Sequence, residues 1–319
     1  MVKTKADYFN KARKIALGSN NRKGILPTAA VYIILTALGF TYFVPILRMI
    51  VTIFMTPQDL VDPKVIWVPT QIYLTGLIEA FDIMKYWEAL YVTVVLSVGP
   101  ALLQTLCTAC IGYALGRFEF PLRKFWIVMV VVFYIVPTTV TAIPKYLMFL
   151  SYGLIDTPWA TYLPALLGQG MKSGIFILIF FTFFSSYPKA LDEAAEIDGC
   201  GRFRVFAKIA LPMSGPAMVI SIIFSVVWYW NETAQAGLLF GKSLPTKLFG
   251  LSVSSLRTMP MRVTTFIENY AAEKGLGSVA PGATVMAAAF LAILPILIMY
   301  FILQKRFVES VERSGITGE

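Results

Sequence analysis

The sequence predicts an all-α, polytopic membrane protein with six transmembrane helices, and two observations carry this prediction. Hydrophobic residues make up 57% of the 319 residues and charged residues only 14%, whereas a soluble domain carries about 25% charged residues. The apolar residues are gathered into six runs, each near the roughly 20 residues that a helix needs to cross a bilayer. The net charge of +9 is therefore not a sign of nucleic-acid binding. What matters in a membrane protein is where the basic residues lie along the chain.

The six runs divide the chain into three parts. We expect residues 1–24 to form an N-terminal segment, residues 25–303 the membrane domain and residues 304–319 a tail. The predicted spans are residues 25–55, 88–114, 125–149, 160–184, 215–238 and 282–303. Several spans contain proline, which membrane helices tolerate because neighbouring groups satisfy the freed carbonyls. No cleavable signal is expected, because the N-terminal segment is polar and the first apolar run is long.

Lysine and arginine are distributed unevenly between the two sides of the predicted membrane domain. Seventeen lie in the N-terminal segment, the loops after the second and fourth spans, and the tail, and eight lie in the opposite loops. Cytoplasmic loops carry the excess of Lys and Arg, so both termini are expected in the cytoplasm. An even number of spans agrees with this orientation.

The second span holds small residues but no recognisable reactive site. The chain has no histidine and three cysteines, which excludes an ordinary zinc site with four protein ligands. Cys107 and Cys110 have a C-x-x-C spacing. They are interpreted either as small residues that pack between helices or as a redox or metal-binding pair. Gly112 and Gly116 are spaced to form a packing face for another helix. We expect no catalytic residue and no metal site.

The cytoplasmic loop after the fourth span, residues 185–212, is predicted to begin with a short helix. Ser186 is a suitable N-cap, and Pro188 fits a first helical turn. Gly199 can adopt the left-handed conformation that ends a helix. The alanines of this helix are expected to form a small face that another surface could approach closely: Ala190, Ala194 and Ala195.

A second short helix is expected after Gly199. It places Phe203 and Phe206 at helical spacing and is predicted to end at Pro212. We expect the two phenylalanines to anchor this helix. Alanines and aromatic residues between charged residues suit docking into a groove of a partner protein.

The spacing of this loop resembles the EAA loop in the permeases of ABC importers. That pattern is Glu-Ala-Ala, three residues, Gly, nine residues and Ile-x-Leu-Pro, and the chain matches it without a gap. The matching residues are Glu193, Ala194, Ala195, Gly199, Ile209, Leu211 and Pro212. The extended form in carbohydrate permeases adds residues that are also present: Pro188, Leu191, Asp198, Phe206 and Pro216.

The resemblance covers most of the chain and is nearest to the maltose-type, six-span permease subunit. Residues 113–117, Tyr-Ala-Leu-Gly-Arg, resemble the end of the family's second span. Residues 230–231, Trp-Asn, resemble the pair after its fifth span. Residues 315–319 depart from the family's usual Gly-Ala-x-Lys-Gly, so no contact is assigned to the tail.

The resemblance implies a permease subunit of a type I ABC importer of sugars, oligosaccharides included, in the inner or plasma membrane of a bacterium. It implies a heterodimer with a second permease subunit, two cytoplasmic ATPase subunits that hold ATP and Mg²⁺, and an extracytoplasmic sugar-binding protein. The chain itself is expected to bind no cofactor and to lack ATPase activity, because it has no G-x-x-x-x-G-K-[ST] loop. The expected ATPase-coupling residues are Glu193, Ala194, Ala195, Asp198, Gly199, Phe203 and Phe206.

Candidates for substrate contact are Lys172, Trp228, Trp230 and Asn231. Lys172 lies inside the fourth predicted span, and an intramembrane charge is a candidate functional residue. A lysine close to an interface can also snorkel. Aromatic rings stack on sugar rings, but Trp and Tyr also mark membrane interfaces, so both interpretations stay open. The outer loop, residues 239–281, either meets the binding protein or is an ordinary structured loop.

Three rival functions are weighed against this one. An ion-coupled secondary transporter should carry carboxylates deep in its spans, and none lies deep in a predicted span here. A membrane-embedded enzyme needs a cluster of acids, histidines or a nucleophile at a membrane face, and the sequence has no such cluster. A permease for a non-sugar solute would keep the same assembly, and the carbohydrate-type loop argues against it.

Overall fold

The computed structural model describes residues 18–19, 22–241, 244–275 and 280–316. This part of the chain is mostly helical, and its strands are short. The helices are α1 Ile25–Ile53, α2 Pro57–Val61, α3 Thr75–Ile83, α4 Tyr86–Arg117, α5 Arg123–Ile135, α6 Thr138–Ser151, α7 Trp159–Leu166, α8 Ser173–Ser186, α9 Ala190–Ile197, α10 Arg202–Val205, α11 Leu211–Met213, α12 Gly215–Asn231, α13 Ala234–Leu239, α14 Met259–Thr264, α15 Phe266–Lys274 and α16 Gly282–Ile316. The strands form two antiparallel hairpins: β1 Gly18–Ser19 with β2 Arg22–Lys23, and β3 Thr246–Leu248 with β4 Leu251–Val253.

Within the described residues, α1, α4 and Gly282–Lys305 of α16 are each long and apolar enough to cross a membrane. Three further pairs of helices meet that test when each bent pair is counted together, which gives up to six crossings. The protein is therefore an all-α polytopic membrane protein, as predicted. The first, second and sixth predicted spans are continuous helices, and each contains a proline.

The third predicted span is not one helix, which corrects the sequence prediction. Helices α5 and α6 meet at a bend of 97°. The break lies at Val136, which is extended with ψ 122°, directly before Pro137. A proline ring disfavours the helical conformation in the residue that precedes it.

The fourth and fifth predicted spans are also interrupted. Between α7 and α8 the chain leaves the helix, with φ +70° at Gly168 and +51° at Lys172. The fifth predicted span is α12 followed by the short α13, with a break at Glu232 and Thr233. Thus the charged and glycine-rich positions in these two runs coincide with the interruptions.

The chain divides into two compact units, of which the first holds the described residues up to Leu77 with Pro281–Ala287. Within it, α1 presents an apolar surface that is exposed over its hydrophobic window. Helix α2 starts with a capping box, in which Asp59 N donates to Thr56 Oγ1 at 3.1 Å and Thr56 N donates to Asp59 Oδ2 at 3.2 Å. Thr70 Oγ1 donates to Asp59 Oδ1 at 2.7 Å and ties the following loop to this helix.

The second unit holds Ile78–Ala280 and the chain from Ala288. Helix α4 packs against α7, α8 and α12. Gly112 and Gly116 face α8 so closely that a Cβ atom would lie 2.5 Å from Phe180 Cβ and 3.1 Å from Phe184 Cβ, respectively. The predicted glycine packing face is therefore confirmed, because a larger side chain has no room there.

The described part of the outer loop, residues 239–241, 244–275 and 280–281, is ordered. It contains the β3–β4 hairpin and helices α14 and α15. Arg262 of α14 forms an ion pair with Glu88 of α4 at 2.6 Å and donates to Met84 O at 2.8 Å. Met259 N donates to Thr93 Oγ1 at 2.8 Å. These bonds fasten the loop 239–281 to the N-terminal end of α4.

Candidate functional site

The first helix of the loop after α8 begins later than predicted. It spans Ala190–Ile197, with Lys189 as its N-cap. Ser186 belongs to the end of α8 instead, where its hydroxyl donates to Phe183 O at 2.9 Å. The N-cap prediction for Ser186 is therefore wrong, and Pro188 lies just before the helix.

The end of α9 has the geometry that the sequence predicts. Gly199 has φ +80°, in the left-handed region. Gly199 N donates to Glu196 O at 3.0 Å, and Cys200 N donates to Ala195 O at 2.9 Å. This is a Schellman-type ending, which glycine adopts without the steric cost of a side chain.

The second part of the loop is a composite helix and does not end at Pro212. Helix α10 continues through a π turn, Phe206–Ala210, into α11, and the helical path stops at Ser214. A bend of 77° then leads into α12. Proline is tolerated in the first turn of α11, and the π turn shifts the hydrogen-bond register just before it.

The predicted coupling residues divide between two sides of the loop. Glu193, Ala194, Asp198, Gly199 and Phe203 are exposed, whereas Ala195 and Phe206 are buried. The small face is therefore only partly as predicted: Ala190 and Ala194 are exposed, and Ala195 faces inward. Exposed apolar side chains extend the outer side: Ile197 is 86% exposed and Phe203 is 79% exposed.

Phe206 anchors the second helix, and Phe203 does not. The Phe206 ring lies 5.0 Å from that of Tyr113 on α4 and 6.5 Å from that of Phe184 on α8. It belongs to a buried cluster that also holds Tyr187 and Ala210. Phe203 is 79% exposed and meets this cluster only at the Phe206 ring, 6.5 Å away. The packing therefore supports the anchoring prediction for Phe206 but not for Phe203.

Arg117, the last residue of α4, holds the first loop helix by polar contacts. Its side chain is 4% exposed and lies 2.6 Å from Asp192 Oδ2 through Nη2 and 2.7 Å through Nε. Nη1 donates to Tyr187 O at 2.9 Å and to Phe184 O at 3.3 Å. The Tyr187 hydroxyl donates to the other oxygen of Asp192, and its ring lies under the guanidinium at 4.3 Å.

Burial, and then the hydrogen bond to Asp192, raise the pKa of the Tyr187 hydroxyl well above its usual range. The phenol therefore stays protonated and keeps donating. Sequence reasoning missed Tyr187 and the role of Asp192. The signal that could have found them is Arg117, at the end of the segment that resembles the family's second span.

The substrate-contact candidates do not form one group. Lys172 Nζ lies 4.6 Å from the centre of the Trp228 ring, at the break before α8. Trp230 is buried, and its Nε1 donates to Ala292 O at 3.2 Å. Asn231 is exposed, and its Nδ2 donates to Val227 O in its own helix at 2.9 Å. The structure brings Lys172 and Trp228 together and assigns Trp230 a packing role.

A buried polar network, missed by the sequence analysis, holds the break before α8. Tyr229 on α12 donates to Gln104 Oε1 on α4 at 2.7 Å. Gln104 Nε2 donates to Met171 O at 2.7 Å, and Met171 N donates to the Tyr229 hydroxyl at 3.2 Å. A Cβ atom at Gly170 would lie 2.5 Å from that hydroxyl and 2.1 Å from Gln104 Oε1, so a side chain here would displace this network.

A small cavity of about 40 Å³ lies beside this network. Its polar lining includes Lys145 on α6, Thr161 on α7, Glu232 at the α12–α13 break and Gln235 of α13. Lys145 lies within α6, inside the third predicted span, and is half-buried. An ionisable side chain inside a predicted span is a candidate functional residue.

The described residues contain no group of three or more Cys, Asp or Glu side chains that could hold a metal ion. Cys107 is half-buried, Cys110 is exposed, and both are free thiols.

Comparisons with known proteins bear on this geometry. Residues 109–313 match the family described as binding-protein-dependent transport system inner membrane component. The polygalacturonan/rhamnogalacturonan transport system permease protein YtcP of Bacillus subtilis is 29% identical over 86% of this chain and 92% of its own. The maltodextrin transport system permease protein MdxG of the same species is 30% identical over 75% of this chain and 78% of its own.

A solved chain adds a likeness of fold. It comes from the crystal structure of a bacterial ABC transporter involved in the import of the acidic polysaccharide alginate. It aligns with a TM-score of 0.70 over 96% of this chain and 99% of its own, at 16% identity.

Proposed function

The chain belongs to the family of binding-protein-dependent transport system inner membrane components, and on that premise we propose that it is one permease subunit of an ATP-driven importer of sugars, oligosaccharides included. The observation that carries this proposal is the loop 185–212. It matches the EAA pattern without a gap, and it exposes Glu193 and Ala194 while Phe206 anchors it to α4 and α8.

The proposed partners follow from the family to which the chain belongs. Two cytoplasmic ATPase subunits hold ATP and Mg²⁺, and one of them receives the exposed side of the loop. A second permease subunit completes a heterodimer in the bilayer, and an extracytoplasmic sugar-binding protein delivers the solute. The chain binds no nucleotide itself, in keeping with its lack of a phosphate-binding loop.

The proposed coupling surface consists of the exposed part of the loop. It contains four residues that the sequence predicts for coupling: Glu193, Ala194, Asp198 and Gly199. Ile197 is added to this surface because its side chain is exposed. Phe203 is a second apolar contact for a groove on the ATPase. Ala195 and Phe206 act from the inner side, where they hold the two loop helices against the membrane domain.

The proposed orientation has both termini in the cytoplasm of a bacterial cell. The distribution of Lys and Arg supports it. The loop 185–212 then faces the ATPase, and the outer loop 239–281 faces the binding protein. The ion pair between Arg262 and Glu88 gives that outer loop a firm base on α4.

The proposed transport step is alternating access, in which ATP-driven closure of the ATPase dimer moves the loop and the helices attached to it. The sugar cargo is supported by the carbohydrate form of the loop and by the names of relatives such as YtcP, a polygalacturonan/rhamnogalacturonan permease, and MdxG, a maltodextrin permease. Lys172 and Trp228 are the best-placed candidates for contact with the transported sugar. An aromatic face can stack on a sugar ring, and the ammonium group beside it can donate hydrogen bonds to the hydroxyl groups of the sugar. Asn231 and Trp230 are weaker candidates.

The test reconstitutes the complete importer in proteoliposomes and compares uptake in the presence and absence of ATP. Wild-type complex should accumulate labelled oligosaccharide only with ATP and loaded binding protein. Glu193→Trp should abolish uptake and the stimulation of ATPase activity while the chain still inserts. Glu119→Trp, at another exposed cytoplasmic position, is the matched control and should retain both. Uptake by the isolated chain, driven by an ion gradient alone, would refute the proposal in favour of a secondary transporter.

A further inference from the structure

The loop between α8 and α12 is attached to α4 at two places of different chemistry. The second loop helix is held by aromatic packing of Phe206 against Tyr113. The first is held by the largely buried ion pair of Arg117 and Asp192, whose side chains are 4% and 17% exposed. Both attachments are on α4, although α8 and not α4 precedes the loop in the chain.

The hydrogen bonds donated by Arg117 fix both the orientation of α9 and its distance from α4. Nε and Nη2 both bind Asp192 Oδ2, and Nη1 binds the carbonyls of Phe184 and Tyr187. One guanidinium therefore joins the last turn of α8, the turn after it and the first turn of α9. A planar fork of this kind restricts rotation, which a single ammonium group does not.

Both oxygens of Asp192 are occupied. Arg117 binds Oδ2, and the Tyr187 hydroxyl binds Oδ1. Asp192 lies in the first turn of α9, next to Glu193, which is exposed. The side of α9 that faces a partner is thus adjacent to a residue locked to α4.

The end of α4 is itself fixed by a second arginine. Arg123 of α5 donates to Leu115 O at 2.7 Å and to Gly116 O at 3.3 Å, which satisfies carbonyls of the last turn of α4. The neighbouring exposed pair of Arg202 and Glu196 is different, with 3.7 Å between the atoms and side chains 72% and 50% exposed. Exposed pairs of that kind contribute little.

We propose that Arg117 is a positioning residue that makes α9 and the cytoplasmic end of α4 move as one body, so that force on the loop reaches the second span directly. This inference rests on the proposed function, which supplies the force on the loop as ATP-driven closure of the ATPase dimer. Its geometric part, a rigid link between α4 and α9, can be tested without transport.

The test measures a distance and a coupling ratio in the assembled importer. One spin label is placed on native Cys110 of α4 and one on Lys189→Cys, both exposed, with Cys107 and Cys200 changed to alanine. The parent should give one narrow distance distribution with and without ATP. Arg117→Gln should broaden it and lower the solute transported per ATP hydrolysed by about tenfold or more, since Asp192, only 17% exposed, loses its cationic partner and keeps only the Tyr187 hydroxyl.

Two variants keep the test decisive. Arg117→Lys keeps the charge but loses the fork, so it should also broaden the distribution; it is judged by the same criteria if Arg117→Gln fails to assemble. Glu196→Gln removes the exposed pair and should match the parent. A narrow distribution and a parental ratio in the Arg117 variants would overturn the proposal. Absence of ATP-driven sugar uptake in the parent would instead refute the proposed function, and the distances would still decide the link.

Discussion

Tyr229 and Gln104 share a 2.7 Å hydrogen bond that joins α12 to α4 inside the membrane domain. The same two side chains bind both backbone groups of Met171, in the break between α7 and α8. In hydrocarbon a backbone outside a helix needs internal partners for its N–H and C=O groups. This pair therefore makes the interruption of the fourth span possible.

Removal of the Tyr229 hydroxyl should loosen that break. Tyr229→Phe leaves Gln104 Oε1 and Met171 N without this partner, and an unsatisfied buried group costs about 1–3 kcal/mol. We expect a lower melting temperature of the purified complex and faster amide hydrogen exchange at residues 167–172. Tyr152→Phe, at an exposed tyrosine, is the control and should not shift the melting temperature; an equal shift in both variants would contradict the assignment.

The glycine face of α4 should tolerate no added methyl group at its tightest point. Gly112→Ala places a Cβ atom 2.5 Å from Phe180 Cβ and 2.9 Å from Phe181 N, so α8 has to move away. We expect destabilisation of about 1–3 kcal/mol, typical of overpacking. Gly237→Ala in α13, where nothing lies within 4 Å of the new atom, should be neutral or slightly stabilising. Thermal unfolding of both complexes compares them, and an unchanged Gly112→Ala would show that the two helices are not in contact.

The conformation of Gly199 predicts a graded response to substitution. Its φ of +80° is unfavourable for any residue with a side chain, least so for asparagine and most for a β-branched residue. Within this chain open space surrounds the position, so the fold of the chain itself limits only the backbone conformation. Uptake by the reconstituted importer should fall in the order glycine, Gly199→Asn, Gly199→Val. Equal activity of the asparagine and valine variants would argue against a backbone effect.

The segment of the first unit around α2, residues 56–70, should loosen in acid. The hydrogen bond from Thr70, with further bonds from Thr56, holds the pKa of Asp59 below its usual range. A carboxyl group whose pKa is lowered by folding stabilises the fold above its unfolded-state pKa, about 3.9, and loses that contribution as pH falls through the folded value. Hydrogen exchange of residues 56–70 should therefore accelerate below about pH 4.

Asp59→Asn serves as the reference for that experiment. The amide cannot titrate, so exchange in this segment should already be faster at pH 7 and should depend less on pH. A wild-type segment whose exchange, corrected for intrinsic rates, is the same at pH 3 and pH 7 would contradict the prediction.

Features that depend on neighbouring residues in the chain were predictable from the sequence. Gly199 ends α9 because a left-handed residue is needed there, and glycine supplies it whatever packs nearby. The glycine pair on α4 was recognisable from its spacing. Positions that depend on distant residues were not. The break at Gly168–Lys172 requires Gln104 and Tyr229, which a hydropathy window sees only as members of apolar runs.

The errors within the loop have the same origin. Ser186 has the composition of an N-cap, but Phe184 is buried beside Tyr113, and this packing keeps Ser186 in α8. Pro212 has the composition of a helix end, but burial of Phe206 and the π turn carry the helix past it. In each case tertiary packing overrides local preference.

Asp192 and Glu193 are adjacent in the sequence but face opposite ways, one toward Arg117 and the other toward solvent. Their evolutionary histories should differ accordingly. Position 192 is free to change only together with positions 117 and 187 of the same gene. Position 193 has to follow whatever changes in the gene of the protein that docks there. Exchange of ATPase subunits between related importers should therefore select for substitutions at 193 and leave 192 unchanged.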